Sequence, residues 1–165
     1  LLKIYGIEKK DIQAAELNPQ QSADRMADGQ LDAFFIVGGS PLAAISQLAA
    51  TKGMQLYELK DDERAAFLKA VPYYYDDVIK AGTYEGQTKD VKTVAVGAQW
   101  VVSADVPEAT VYEVTKALWN DNSRKLFDAG HAKAKDIQLS NALKAVNTPL
   151  HPGAEKFYKE KGVLK

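Results

Sequence analysis

The stretch Leu31-Asp32-Ala33-Phe34-Phe35-Ile36-Val37-Gly38-Gly39-Ser40-Pro41 decides how this sequence is read. Its first seven residues form a near-continuous apolar run, the pattern of a strand buried in a parallel sheet. Gly38-Gly39-Ser40-Pro41 breaks that run. Pro41 suits the first turn of a helix whose apolar positions Leu42, Ile45 and Leu48 recur at helical spacing until Thr51-Lys52-Gly53. Working outward, residues 13–17 and 54–59 read as further strands. An Asn18-Pro19 cap opens a helix over residues 20–28 that stops at Gly29, and Asp61-Asp62-Glu63 opens another to about Ala70. Strand and helix alternate, which is the signature of an α/β fold.

Beyond Pro72 the pattern changes. Residues 73–86 are rich in Tyr, Gly and Asp without a clean period and read as a long loop with a short hairpin, and long loops are usually functional. Residues 93–103 alternate Val94, Val96, Ala98, Trp100 and Val102 in the manner of a strand. From Pro107 the chain reads as helices: one with Val111, Val114 and Leu118 on a face, an interruption at Asn120-Asp121-Asn122, then residues 123–129, 137–146, and a last helix opened by Pro152-Gly153 and closed at Gly162. The opening Leu1-Leu2-Lys3-Ile4-Tyr5-Gly6 reads as the tail of an amphipathic helix closed by glycine, so further chain is expected upstream.

Composition narrows the function. At 46% hydrophobic and 26% charged, the 165 residues hold apolar material for one core or two small ones. The net charge of -1 offers no broad positive field, so nucleic acid is not an expected partner. The absence of cysteine excludes disulfides, thiolate nucleophiles and thiolate metal sites, and two histidines are too few for a His-rich centre. No metal or cofactor is expected. No apolar run approaches the roughly 20 residues that span a bilayer.

The chemistry concentrates in two places. Gly38, Gly39, Ser40 and Pro41 sit where a strand hands over to a helix, the position at which open α/β sheets bind ligands, because free amides and the positive helix end attract an anion. Ser40 is the expected N-cap, able to bond a ligand oxygen or to cap the helix. A tight turn in which glycine relieves φ strain is the alternative. The loop lacks the lysine and spacing of a phosphate loop. Tyr73, Tyr74 and Tyr75, with Tyr84 nearby, can wall a pocket or simply pack. His131 reads as a solvated helix end and His151 as a structural group before the last helix. The carboxylates Asp61-Asp62-Glu63 and Asp76-Asp77 are explained by the helix dipole and a solvated loop. No nucleophile has an evident base, so an enzyme is not expected.

Four phrases carry a family resemblance: residues 31–41, the stretch from Gly82-Thr83-Tyr84-Glu85-Gly86-Gln87 to Val96, Asp105-Val106-Pro107 with Val111-Tyr112, and Pro149-Leu150-His151-Pro152-Gly153-Ala154 with Phe157-Tyr158-Lys159-Glu160-Lys161-Gly162. Together they resemble the C-terminal part of the TAXI family, the extracytoplasmic solute receptors of TRAP transporters. The resemblance covers nearly the whole chain. It implies a type II periplasmic binding protein fold of two α/β lobes with ligand captured between them. Residues 1–92 would be lobe two, 93–103 the hinge and return strand, and 104–165 C-terminal helices that return to the first lobe, whose N-terminal part is absent from this chain. It also implies a periplasmic location, a small anionic solute such as glutamate, glutamine or a dicarboxylate, and membrane-embedded TRAP subunits as partners. Gly38, Gly39, Ser40 and Pro41 would match the cleft-facing loop, and Tyr73 to Tyr75 a segment near the hinge. The rival readings are the effector-binding domain of a transcription regulator and an enzyme on a related fold. The apolar faces after Pro107 must be covered by refolding onto lobe two, by upstream chain, or by self-association with a second copy.

Overall fold

The computed structural model describes residues 1–165. The chain forms two compact units, Leu1–Val96 and Gly97–Lys165.

In the first unit, helix α1 (Pro19–Ala27) starts where the sequence signals it. The Asn18 side chain accepts the Gln21 amide at 2.9 Å while the Gln21 side chain accepts the Asn18 amide at 3.1 Å, a reciprocal cap that satisfies two otherwise orphaned donors. Helix α2 (Ala43–Lys52) buries Ala44 and Leu48 against Ala23 of α1. A second cluster joins Ile45 and Ala49 to Tyr84. Phe34 and Met54 pack against both clusters and tie them into one core. Helix α3 (Asp61–Ala70) follows, its first turn acidic as the helix dipole favours.

The sheet departs from the expected one. It is a single antiparallel hairpin of β1 (Tyr74–Ile79) and β2 (Val91–Val96), with Tyr74 opposite Val96 and Ile79 opposite Val91. Residues 74–79, expected within a long loop with a short hairpin, are therefore a full strand whose partner lies beyond that stretch, at Val91–Val96. Its pairing comes from the loop that closes it. Gln87 Nε2 donates to the carbonyls of Ile79 and Lys89, at 3.1 and 3.0 Å, and the Gln87 backbone carbonyl accepts the Gly82 amide at 2.9 Å. Asp90 accepts from the Ala81 amide and from Lys80 Nζ.

Residues 13–17, 31–37 and 54–59, expected as strands, form none. Residues 31–37 make no backbone hydrogen bond, and 54–59 make one, from the Leu59 amide to the Lys92 carbonyl on the outer edge of β2 at 3.3 Å. Apolar content was enough to bury Phe34 and Leu56 partly. It could not supply the neighbouring strand that a ladder requires, so Phe35 and Val37 stand 67% and 73% exposed.

The second unit is helical: α4 (Glu108–Leu118), α5 (Asp121–Gly130) and α6 (Pro152–Glu160). α4 packs on α6 around Val111, Thr115 and Phe157, the last only 2% exposed. Asn120 is the cap of α5, accepting the Ser123 amide at 2.9 Å, and the interruption is the two residues Trp119 and Asn120, not Asn120 to Asn122. The strand expected to reach Ser103 ends at Val96, and Trp100 lies 72% exposed. The helix expected over residues 137–146 is replaced by a 3-10 turn at Leu139–Asn141. Side chains of Gln138 and Asn141 occupy the carbonyls of Lys135 and Asp136, local bonds that compete with helix, and Ala145 adopts a left-handed φ of 61°.

Candidate functional site

Gly38 to Pro41 leads directly into α2, and the local geometry differs from the expected cap. The N-cap is Leu42, two residues beyond Ser40, and it offers no capping side chain. Pro41 follows a cis peptide bond and precedes the helix rather than opening it. The Leu42 amide instead donates to the Tyr84 hydroxyl at 3.1 Å. Tyr84 is buried, so it pins the start of α2 to the hairpin loop. The backbone amides of Gly38, Gly39 and Ser40 make no backbone hydrogen bond. A helix start with unengaged amides and no side-chain cap presents partial positive charge to an anion. Gly38 is also tight: a Cβ there would lie 3.0 Å from Leu42 Cδ2.

The tyrosines are divided among other tasks. Tyr74 packs edge-on against Phe67 of α3, ring centroids 5.1 Å apart, and Tyr73 leans on Tyr74 at 5.3 Å from an exposed turn. Tyr75 is half-buried in β1 opposite Ala95. The structure does not join this group to the glycine loop. Leu42, Tyr84 and Ile79 share one cluster at the Ile79 end of the hairpin. Tyr74 begins the other end, about 17 Å away along the strand at roughly 3.3 Å per residue. Tyr84 is the phenol that meets the loop, and its signal in the sequence was its place in the Gly82 to Gln87 phrase.

The carboxylates hold elements together. Asp61 bonds Lys92 at 2.9 Å and Arg64 at 3.0 Å, and Arg64 also pairs with Asp76, so one network ties α3 to both strands. Lys92 above all, then Arg64, holds the Asp61 carboxyl below its usual range, and Asp76 raises the Arg64 guanidinium. Groups fixed in their charged forms suit scaffolding better than proton transfer. His151 Nδ1 accepts the Gly153 amide at 3.2 Å and its Nε2 faces the Val106 carbonyl at 3.0 Å, the structural role expected of it. His131 accepts the Lys133 amide at 3.1 Å.

The sequence model of the NMT1-like family matches residues 1–162. The chain belongs to the NMT1-like family. This is a periplasmic solute-binding family, typically extracytoplasmic, and membership gives the chain a solute-binding role on a binding-protein fold. No helix is long and apolar enough to cross a membrane. In this NMT1-like chain the phrases around Tyr84 and His151 are architectural. Tyr84 anchors the start of α2, Gln87 closes the hairpin, His151 caps α6, and Pro152 opens it.

Proposed function

We propose that the chain is part of an extracytoplasmic receptor of the TRAP-transporter type that captures a small organic anion and hands it to membrane-embedded transporter subunits without chemical turnover. The observation that carries this reading is the start of α2. The loop Gly38-Gly39-Ser40-Pro41 leaves amides unengaged beside a helix N-terminus that lacks a side-chain cap, and Tyr84 holds that start in place. A carboxylate is the complementary group. Glutamate, glutamine and short dicarboxylates are the candidate solutes, and the Ser40 hydroxyl would add a contact to one of them. Tyr73 and Tyr75, at the other end of the hairpin, would meet only a longer solute or a second wall of the site.

Thermal denaturation in the presence of L-glutamate, L-glutamine and succinate tests this, because a ligand that binds only the folded chain raises Tm with concentration. At least one is expected to stabilise. Stabilisation by neutral or cationic compounds alone, or consumption of the stabilising solute by catalytic amounts of protein, overturns the proposal.

A further inference from the structure

Tyr5, Tyr57 and Glu63 come from three separate segments of the first unit and bring three oxygen-bearing groups to one place. Tyr5 ends a 3-10 turn over Leu2–Tyr5 that is closed by Gly6, whose amide donates to the Lys3 carbonyl at 3.1 Å. Tyr57 follows Leu56, which packs against the core, and its own ring is left outside. Glu63 belongs to the first turn of α3, where one carboxylate oxygen accepts the Lys60 amide at 3.0 Å and fixes the side chain. The Tyr5 and Tyr57 hydroxyls, 52 residues apart in sequence, meet at 3.1 Å. The Glu63 carboxylate reaches the Tyr5 hydroxyl as well, so Tyr57 first, then partial burial, then Glu63 raise the Tyr5 phenol above its ordinary value. The cation nearest Glu63 is Lys60 Nζ, an exposed group 3.9 Å from the other carboxylate oxygen and too far to be committed there.

A cluster made only of oxygen donors suits a hard cation and needs neither cysteine nor histidine. Geometry, charge and acidity choose which one. Two oxygens bound at about 2.0–2.1 Å on adjacent corners of an octahedron lie about 2.9 Å apart, close to the separation of the two hydroxyls. Two phenolates and a carboxylate carry three negative charges, which a trivalent cation neutralises. A phenol ionises only near pH 10, so a strongly Lewis-acidic ion is needed to displace its proton at neutral pH; ferric iron does this, and magnesium and calcium do not. We propose that Tyr5, Tyr57 and Glu63 form a ferric-iron site, with the two phenolate oxygens in adjacent positions, the Glu63 carboxylate as third ligand and water in the remaining positions. Both phenolic protons pass to solvent as the iron binds, and no electron is transferred. The two phenols are exposed, which gives iron a way in.

The test titrates the 165-residue chain with ferric nitrilotriacetate at neutral pH and follows visible absorption, where iron bound to phenolate gives a charge-transfer band that the chelate alone lacks. The band is expected to saturate at one iron per chain and to withstand excess magnesium. Tyr5→Phe and Tyr57→Phe are each expected to weaken binding by at least about tenfold and to diminish the band. Glu63→Gln, which keeps an acceptor for the Lys60 amide, is expected to bind several-fold more weakly, and Tyr73→Phe to bind as the parent does. Both ligand tyrosines are exposed, so their phenylalanine variants are expected to keep the parent's urea midpoint. Absence of the band, uptake of iron without it, or an undiminished band in either Tyr5→Phe or Tyr57→Phe overturns the proposal.

Discussion

Gly153 of α6 lies so close to the backbone of α4 that a Cβ on it would sit 2.3 Å from the Glu108 carbonyl oxygen. The same atom would be 2.6 Å from the Tyr112 amide nitrogen, so the obstacle is backbone that no rotamer change can clear. Gly153→Ala must therefore push α6 off α4, where Phe157 is the most buried side chain of the chain. The expected cost is about 1–3 kcal/mol, the usual range for overpacking, read as a lower urea midpoint. An unchanged midpoint would mean that the helices slide apart freely.

His151→Ala removes both the acceptor for the Gly153 amide and the contact with the Val106 carbonyl. Loss of a cap costs about 0.5–2 kcal/mol. His151→Asn restores the cap acceptor without reaching Val106 and is expected to fall between Ala and wild type in the same denaturation series.

Tyr84→Phe and Ser40→Ala separate scaffold from solute contact at the start of α2. Removing the Tyr84 hydroxyl leaves the Leu42 amide without its 3.1 Å acceptor, at a cost of about 1 kcal/mol in stability. Ser40 neither caps α2 nor holds another group of the chain, so Ser40→Ala is expected to keep stability within about 0.5 kcal/mol. If the solute reading holds, it weakens binding of the stabilising anion by about 0.5–1.5 kcal/mol in calorimetric titration. Loss of stability in Ser40→Ala with unchanged affinity would assign Ser40 to the scaffold.

Acid should weaken the first unit through its paired carboxylates. Lys92 and then Arg64 lower Asp61, and Lys80 and then the Ala81 amide lower Asp90. Folded-state values below the unfolded ones mean that the stabilisation is complete above about pH 4 and is lost as pH falls through the depressed values. The urea midpoint is expected to drop across that window, and to drop less in the Lys80→Met, Lys92→Met double variant. At the alkaline end Tyr112, raised chiefly by its hydrogen bond to Glu160, should contribute below about pH 10 and cease to do so as pH rises through its raised value.

The sequence by itself marked most of the helices, though the one expected over residues 137–146 is not formed and α2 begins two residues past its expected cap. Asn18-Pro19, Asp61-Asp62-Glu63 and Pro152 mark three helix starts, and Gly29 at φ 72° follows the end of one, because helix bonds and caps join residues three or four apart and the signal is written locally. It also placed Gly38 to Pro41 at the mouth of α2. The start of one strand was legible in the alternation from residue 93, but which runs become strands, and where they end, was decided by tertiary structure. Residues 31–37 are more apolar than Tyr74–Ile79, yet only the latter found a hydrogen-bonded neighbour, because the Gln87 and Asp90 side chains fold the intervening loop and set the register. The same holds at the candidate site: sequence named the glycines, but that the Tyr84 hydroxyl, and not Ser40, holds the start of α2 depends on a contact spanning 42 residues that no local pattern encodes.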